Sequence, residues 1–386
     1  MYATSLATAM ALGTVVLTSP TEAATGNKPP FSIDLETATV TQLQQAMSSR
    51  KITSEWLVNA YIERIRALNT HGPGLNAVRV LNDDALNEAR QADKDRSRGR
   101  VRGPMHGIPV LVKDNTDIKK LPTTAGAQAL ADSYPADDAF LVKRLRAAGA
   151  VILGKTNLTE FANFTTAGMP SGYSGLAGQV LNPYDVSQTP SGSSSGSGAA
   201  AAASLAAVTI GTETSGSILS PSVANSLVGV KPTVGLVSRT GIIPIAASQD
   251  TAGPMTRSVY DAAALLTAIT GIDPEDPATA TSKDVVGTDY TAALSKDALK
   301  NVRIGVVGTP TGNQGAAFTK AVDVLRAQGA TVAPATVDTS GLPASILNYE
   351  FKRDLNAYFA RLPARAPMKT LDDVVRFNLA HAARDR

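Results

Sequence analysis

The chain has 386 residues, of which 43% are hydrophobic and 18% charged, a composition typical of a globular protein with one or two domains. It contains no cysteine, which excludes disulfides, thiolate metal sites and a cysteine nucleophile. The three histidines, His71, His106 and His381, lack the spacing of metal ligands, so we expect no metal and no cofactor.

The net charge is only +3, and the basic residues form one cluster. Its members are Lys94, Arg96, Arg98, Arg100 and Arg102. A nucleic-acid-binding surface would be expected to have aromatic side chains between its basic residues, and this cluster has none. We therefore predict a solvated loop and no nucleic acid partner.

The first 24 residues resemble a secretory signal. Residues 6–17 form an apolar run that is too short to span a membrane, and Ala23 or Ala24 precedes the expected cleavage point. However, no Lys or Arg precedes the run, which leaves a start site upstream of Met1 or a disordered tail as alternatives. We expect a secreted protein without a stable membrane anchor, or a cytoplasmic one if residues 1–24 are only a tail.

Helix and strand patterns alternate from residue 25 onward. Thr53 can cap a helix whose apolar residues recur at helical spacing, namely Leu57, Tyr61, Ile65 and Leu68. The patterns that follow are a strand (76–81), a helix (83–96), a buried strand (108–113), a helix ended by Gly149, an apolar strand up to residue 156, and a late strand, helix and strand (302–308, 316–329, 330–337). This alternation predicts an α/β fold with helices on both faces of a sheet, in one domain of residues 25–386.

Two sequence motifs match well-known sites in the wrong structural context. Residues 149–156 (GAVILGKT) fit the phosphate-loop pattern, but the four central residues are apolar and strand-forming rather than a flexible loop. Residues 192–196 (GSSSG) fit the nucleophile elbow of α/β-hydrolases, with His381 downstream as a base. An elbow directly follows a strand, whereas this stretch follows a turn-rich loop. A nucleotide-binding protein and a histidine-dependent esterase therefore stay open as alternatives.

A lysine is a third candidate for the base of a serine nucleophile. Lys113 ends the apolar strand, where burial would disfavour its charged form and lower its pKa. An ion pair between Lys113 and a carboxylate explains the position equally well. Asp114 and Asn115, which follow it, are compatible with ordering the site or with capping a loop.

Three stretches resemble the core blocks of the amidase signature family: GPMHGIPVLVKDN (103–115), TPSGSSSGSGAAAAA (189–203) and GTETSGSILSPS (211–222). The resemblance implies a Ser-Ser-Lys triad with Lys113 as base, Ser193 as bridging serine and Ser217 as nucleophile. In that mechanism an acyl-enzyme forms and ammonia is released from a carboxamide. The resemblance also implies a single α/β/α fold around a large mixed sheet.

The same resemblance implies an oxyanion hole made by the backbone amides of Thr214, Ser215 and Gly216, with that of Ser217. It further implies a cis peptide bond between Gly192 and Ser193. The alanine helix between the two serine-rich loops would be a spacer of small side chains that lets the loops converge on Lys113. Ser191, Ser215 and Leu219 depart from the commonest family pattern, which affects substrate choice more than catalysis.

Within the family, residues 231–259 and 273–282 are most similar to bacterial peptide amidases, which remove the C-terminal amide of peptides. The expected partner is therefore a peptide or small-molecule amide. The amidase component of the tRNA-dependent amidotransferase is the alternative within the family. It is cytosolic and works in a complex, so a genuine signal peptide would argue against it.

The family usually continues well beyond the point where this sequence stops. Residues 371–386 predict an amphipathic helix with Leu371, Val374, Val375 and Leu379 on its apolar side. We therefore expect a fold without the usual C-terminal portion, an incomplete substrate pocket, exposed apolar surface and reduced activity.

Overall fold

A computed structural model describes residues 33–341 and 346–382, except for the Asn313 side chain. The expected signal segment, residues 1–24, lies outside the described residues. The strands are β1 (Val78–Leu81), β2 (Pro109–Lys113), β3 (Val151–Thr156), β4 (Tyr173–Ser174), β5 (Gly178–Gln179), β6 (Val208–Glu213), β7 (Val228–Gly229), β8 (Thr251–Thr256), β9 (Arg303–Val306) and β10 (Thr331–Pro334). The helices are α1 (Val40–Ser48), α2 (Ser54–Ile65), α3 (Ala85–Ser97), α4 (Phe140–Ala147), α5 (Ser195–Ala202), α6 (Leu219–Ala224), α7 (Val259–Ile269), α8 (Gly312–Ala327), α9 (Leu347–Arg361) and α10 (Leu371–His381).

A six-stranded mixed sheet forms the centre of the protein, in the order β1-β3-β2-β6-β8-β7. Strand β2 runs parallel to both β3 and β6, and the remaining pairs are antiparallel. Every residue of β2, β3, β6 and β8 is buried, as expected for strands that helices cover. The prediction of an α/β fold with a large mixed sheet flanked by helices is confirmed.

The predicted helices and strands are found close to their expected bounds. Thr53 caps α2 by accepting a hydrogen bond from the Trp56 amide, and Leu68 lies in a π-helical turn (Arg66–Thr70) that extends this helix. The late strand–helix–strand unit is also present, but among the strands of the described residues β9 and β10 pair with each other and not with the six-stranded sheet. Residues of β9 alternate between exposed and half-buried, so this strand lacks the two apolar faces that a place inside the main sheet requires.

The prediction that the basic cluster forms a solvated loop is wrong for its first two residues, which are helical. Lys94 and Arg96 belong to the last turn of α3, where cations interact favourably with the helix dipole. The Arg96 guanidinium donates to Gln44 Oε1 at 2.7 Å and to the His106 carbonyl oxygen at 3.1 Å. Arg102 forms a salt bridge of 2.6 Å with Asp95. Arg96 and Arg102 therefore hold the end of α3 to its neighbours.

The small residues of α5 allow it to lie close to the backbone of the sheet. A methyl group on Gly196 would lie 2.3 Å from the Asn157 carbonyl oxygen and 2.4 Å from that of Ala77, which are impossible contacts. Ala199 and Ala200 are fully buried in the main core. The first turn of α5, with the serines before it, is therefore fixed against the edge where β2 and β6 end.

The C-terminal helices close a second apolar cluster, in which Val374 of α10 packs with Leu355 and Phe359 of α9. The predicted amphipathic helix is present, and Thr370 caps it together with Asp373. Val375 and Leu379 on the same helix are exposed. Within residues 33–341 and 346–382, the helices are all too short or too polar to cross a bilayer.

Candidate active site

Lys113 occupies the carboxyl end of β2, next to the end of the parallel strand β6. Its side chain is fully buried. The Lys113 Nζ atom lies 2.8 Å from Ser193 Oγ, 2.9 Å from Ser194 Oγ and 3.0 Å from Thr212 Oγ1. Lys113 has no salt-bridge partner among the described residues, so the ion-pair interpretation of this position is not supported by the structure.

Burial lowers the pKa of Lys113 from its ordinary value of 10.5 to about 7. The carboxylates of Asp250 and Glu213 act in the opposite direction, because a nearby negative charge favours the ammonium. The difference in pKa corresponds to about 5 kcal/mol of preference for the neutral amine relative to water. Near neutral pH, a large fraction of Lys113 can therefore accept a proton.

The two serine-rich loops meet above Lys113. The peptide bond between Gly192 and Ser193 is cis, as the family resemblance implies. The Ser194 amide donates to the Ser217 carbonyl oxygen at 3.2 Å, which ties the first loop to the second. Ser217 is 8% exposed, whereas Ser193 and Ser194 are fully buried. Within the described part of the chain, the Ser217 hydroxyl makes no hydrogen bond.

Glu213, the last residue of β6, organises the loop that carries Ser217. Its carboxylate accepts hydrogen bonds from the amides of Gly216 (2.8 Å), Ile218 (2.7 Å) and Leu219 (2.9 Å). Of the four amides predicted to form an oxyanion hole, that of Gly216 already donates to Glu213 in this structure. The amides of Thr214, Ser215 and Ser217 have no acceptor among the residues described.

Asp250 holds the other side of the same loop. Its carboxylate accepts a hydrogen bond from the Thr214 hydroxyl and from the amides of Ile245 (2.8 Å) and Ala246 (3.0 Å). Burial raises the pKa of Asp250 to about 6, although these hydrogen bonds oppose the rise. Sequence reasoning missed both Glu213 and Asp250. A carboxylate inside a buried strand is a signal that would have identified Glu213.

A cavity of about 250 Å³ borders this loop. Thr212, Thr214 and Asp250 line it on the side of the serine loops, and Ile243 and Tyr358 contribute apolar and aromatic surface. The cavity therefore offers space beside the backbone amides that precede Ser217.

The family of the chain follows from this site together with sequence and structural comparisons. A sequence model of the amidase family matches residues 56–384. A protein of Arabidopsis thaliana described as a probable amidase is 42% identical over 368 residues, which cover 92% of this chain and 70% of that protein. The chain belongs to the amidase family. A component of the glutamyl-tRNA(Gln) amidotransferase of Acidothermus cellulolyticus is 40% identical over 276 residues, which cover 71% of this chain and 52% of that protein.

Solved structures of amidases have the same fold. The peptide amidase of Stenotrophomonas maltophilia is 50% identical, with a TM-score of 0.87 over 90% of this chain and 72% of that one. An amidase family protein of Bacillus anthracis is 42% identical, also with a TM-score of 0.87, over 90% of this chain and 70% of that one. The expectation of an amidase of this fold is confirmed.

The structure contradicts the phosphate-loop interpretation of residues 149–156. These residues lead into β3 and form it, and Lys155 is fully buried. In the β2–β3 register Lys155 is opposite Val112 and Thr156 is opposite Lys113, so the two lysines point to opposite faces of the sheet. Lys155 forms a salt bridge of 2.7 Å with Asp114 and donates to the Pro122 carbonyl oxygen, which leaves it unable to reach a phosphate.

The nucleophile-elbow interpretation also fails. Ser194, the central serine of residues 192–196, donates its hydroxyl to the Thr212 carbonyl oxygen at 3.0 Å and precedes a helix without a strand before it. His381 belongs to α10, where its ring stacks on Phe377 and its Nδ1 atom lies 2.7 Å from the Phe377 carbonyl oxygen. Lys113, rather than this histidine, contacts the serines.

We expect Lys113→Met and Lys155→Met to change the stability of the amidase differently. Lys155→Met removes the cation of a buried ion pair, which typically costs about 3–5 kcal/mol. Lys113 instead lowers the stability at pH 7, because the unfolded chain binds its proton below pH 10.5 whereas burial lowers the folded pKa to about 7. Lys113→Met removes this cost. Thermal unfolding at pH 7, followed by circular dichroism, should give a lower melting temperature for Lys155→Met only. Similar large losses in both variants would contradict this distinction.

Proposed function

We propose that this amidase hydrolyses carboxamides through Lys113, Ser193 and Ser217, with Lys113 as the proton acceptor. The observation that carries the proposal is the 2.8 Å contact between Lys113 Nζ and Ser193 Oγ, in an environment that favours the neutral amine. A serine hydroxyl is a weak nucleophile and needs such a base. The hydrogen bond from the Ser194 amide to the Ser217 carbonyl oxygen joins the two loops and so supports the assignment of Ser217 as nucleophile.

In the proposed first half-reaction, Ser217 Oγ attacks the amide carbonyl carbon. Its proton passes to Ser193, and Ser193 gives its own proton to Lys113. The tetrahedral oxyanion accepts hydrogen bonds from the Ser215 and Ser217 amides, which are fixed donors and need no reorganisation. When the carbon–nitrogen bond breaks, Lys113 returns its proton through Ser193 to the leaving nitrogen, and ammonia departs.

The second half-reaction hydrolyses the ester between the acyl group and Ser217. Water attacks the ester carbon and gives its proton through Ser193 to Lys113, since Ser217 Oγ is now esterified. As the bond between the ester carbon and Ser217 Oγ breaks, Lys113 returns that proton through Ser193 to Ser217 Oγ, which restores the hydroxyl and releases the carboxylic acid. Loop geometry supports this cycle, because Glu213 and Asp250 hold the Ser217 loop from both sides.

We further propose the C-terminal amide of peptides as the substrate. The support is the 50% identity to the peptide amidase of Stenotrophomonas maltophilia and to a peptide amidase solved with the competitive inhibitor chymostatin. The cavity beside Thr214 adds space for an acyl chain next to the proposed oxyanion hole.

We also propose that residues 1–24 act as a cleaved signal peptide for secretion and that residues 25–386 form the catalytic domain. It rests on the apolar run of residues 6–17 and the alanines that follow it. N-terminal sequencing of protein recovered outside expressing cells would test it, and an intact Met1 there would contradict cleavage.

The first prediction of this proposal concerns the triad. Ser217→Ala should reduce hydrolysis by on the order of 10⁴-fold or more, and Lys113→Ala and Ser193→Ala should be nearly as damaging, because the three residues act as a unit. Ammonia release from an amidated dipeptide measures the effect. His381→Ala is the matched control and should keep most of the activity. An inactive His381→Ala beside an active Lys113→Ala would instead support a histidine base.

A second prediction concerns the acyl group. An amidated dipeptide should release ammonia faster than an amidated fatty acid of similar length, since the similarity to peptide amidases is the argument for a peptide. The ratio of kcat/KM for the two compounds measures this preference. Faster release from the fatty amide would reject the peptide assignment while leaving the triad intact.

A third prediction concerns pH. Because the neutral form of Lys113 is the base, kcat/KM should rise with pH and reach half of its plateau near pH 7. Asp250→Asn removes a carboxylate that favours the ammonium, so its rise should move to lower pH. A flat profile, with chemistry shown to be rate-limiting, would contradict Lys113 as base.

A further inference from the structure

Asn115 is a buried polar residue for which the proposed triad has no role. It is 2% exposed, and its Nδ2 atom donates to Thr212 Oγ1 at 2.9 Å. Its Oδ1 atom is buried and has no hydrogen-bond partner among the described residues. An unsatisfied buried acceptor typically costs about 1–3 kcal/mol, so fold stability alone does not explain an asparagine here.

Asn115 also lies between the base and the cavity. Asn115 and Thr212 both line the 250 Å³ cavity, whereas Lys113 is fully buried and does not line it. Thr212 Oγ1 contacts both Lys113 Nζ (3.0 Å) and Asn115 Nδ2 (2.9 Å). The two side chains therefore form the wall that separates the Lys113 amine from the cavity. Water at this wall would solvate an ammonium and favour protonation.

The hydrogen bonds around Lys113 suit a neutral amine better than an ammonium. The two shortest contacts besides Ser193, those to Ser194 Oγ and Thr212 Oγ1, can take the two protons of a neutral amine and leave its lone pair to accept from the Ser193 hydroxyl. The Thr212 carbonyl oxygen, at 3.3 Å, is a more distant acceptor. A charged lysine has three protons to donate and needs stronger acceptors. By donating to Thr212 Oγ1, Asn115 occupies one of the two lone pairs of this oxygen and makes it a poorer acceptor for an ammonium.

We propose that Asn115 is a positioning residue that keeps Lys113 unprotonated, by donating to the Thr212 hydroxyl and by closing the amine off from the cavity. This inference rests on the proposed function, in which Lys113 is the base. The charged groups that act on Lys113 are the carboxylates of Asp250 and Glu213, and both favour the ammonium. Asn115 counteracts them without adding a charge of its own.

The test is the pH dependence of kcat/KM in Asn115→Ala, with an amidated dipeptide as substrate. We expect the rise to move upward by about one pH unit, which reduces activity near pH 6 about tenfold and leaves the alkaline plateau close to that of the parent. Asn115→Leu, which conserves volume but cannot donate to Thr212, should move the rise in the same direction. It guards against collapse of the cavity wall in the alanine variant.

Thr116→Val is the matched control. Thr116 is the next residue and is fully buried, and its hydroxyl has no hydrogen-bond partner in the described chain, so it makes no hydrogen bond to Thr212. Its profile should equal that of the parent. A loss of activity by the same factor at every pH in both Asn115 variants would show a merely structural role and overturn the inference.

Direct titration of Lys113 separates this inference from the proposed function. The ¹³Cε signal of isotope-labelled lysine, assigned by its absence in Lys113→Met, should titrate at higher pH in Asn115→Ala than in the parent. An unchanged titration, together with an inactive Lys113→Met, would overturn the role of Asn115 and keep Lys113 as base. If the Lys113 titration moved to higher pH but the pH profile of kcat/KM did not, the result would support the role of Asn115 and reject Lys113 as base.

Discussion

The burial of Lys113 without a carboxylate partner among the described residues is the constraint on which the site depends. An isolated ammonium is among the most costly groups to bury, and a protein usually pairs it or exposes it to water. Here the surrounding groups are hydroxyls and a carbonyl oxygen, which stabilise an amine but compensate poorly for lost hydration. The fold thus loses stability to hold an amine whose pKa is lowered to about 7, which is the property that the proposed role of Lys113 as base requires.

Lys113 and Lys155 lie on opposite faces of the sheet, and of these two buried lysines Lys155 forms a salt bridge whereas Lys113 does not. The two residues lie on adjacent parallel strands and are equally buried, yet their side chains point to opposite faces. On one face, Asp114 neutralises Lys155 and also binds Arg79. On the other face, the hydrogen-bond partners of Lys113 among the described residues are all neutral. Asp114 directly follows Lys113 at the end of β2, and the alternation of side chains keeps its carboxylate on the face opposite the Lys113 amine.

Positioning of the serines relies on carboxylates and small residues rather than on large apolar contacts. Glu213 binds three amides of the Ser217 loop, and Asp250 reaches the same loop from the end of a distant segment. Gly196 lets α5 approach the backbone of Ala77 and Asn157, so that the loop before the helix lies over Lys113. Glu213 fixes the backbone of the Ser217 loop and Asp250 fixes its Thr214 side chain. The amides proposed as oxyanion donors belong to the same loop, and donors that are held in place need no reorganisation.

The order of helices and strands and the α/β class could be predicted from the sequence, because the periodicity of apolar residues encodes them locally. The meeting of Lys113 with the two serine-rich loops was predicted only through the resemblance of three motifs to the amidase signature family, since the residues alone left an ion pair equally open. Which buried groups meet became evident from the three-dimensional structure. It assigned Asp114 to Lys155 rather than to Lys113, gave the Gly216 amide to Glu213, and placed Asn115 against Thr212. An apolar sequence pattern predicts that a residue is buried. It does not predict which group that residue contacts, because the contact depends on strand register and on the packing of loops that are distant in sequence.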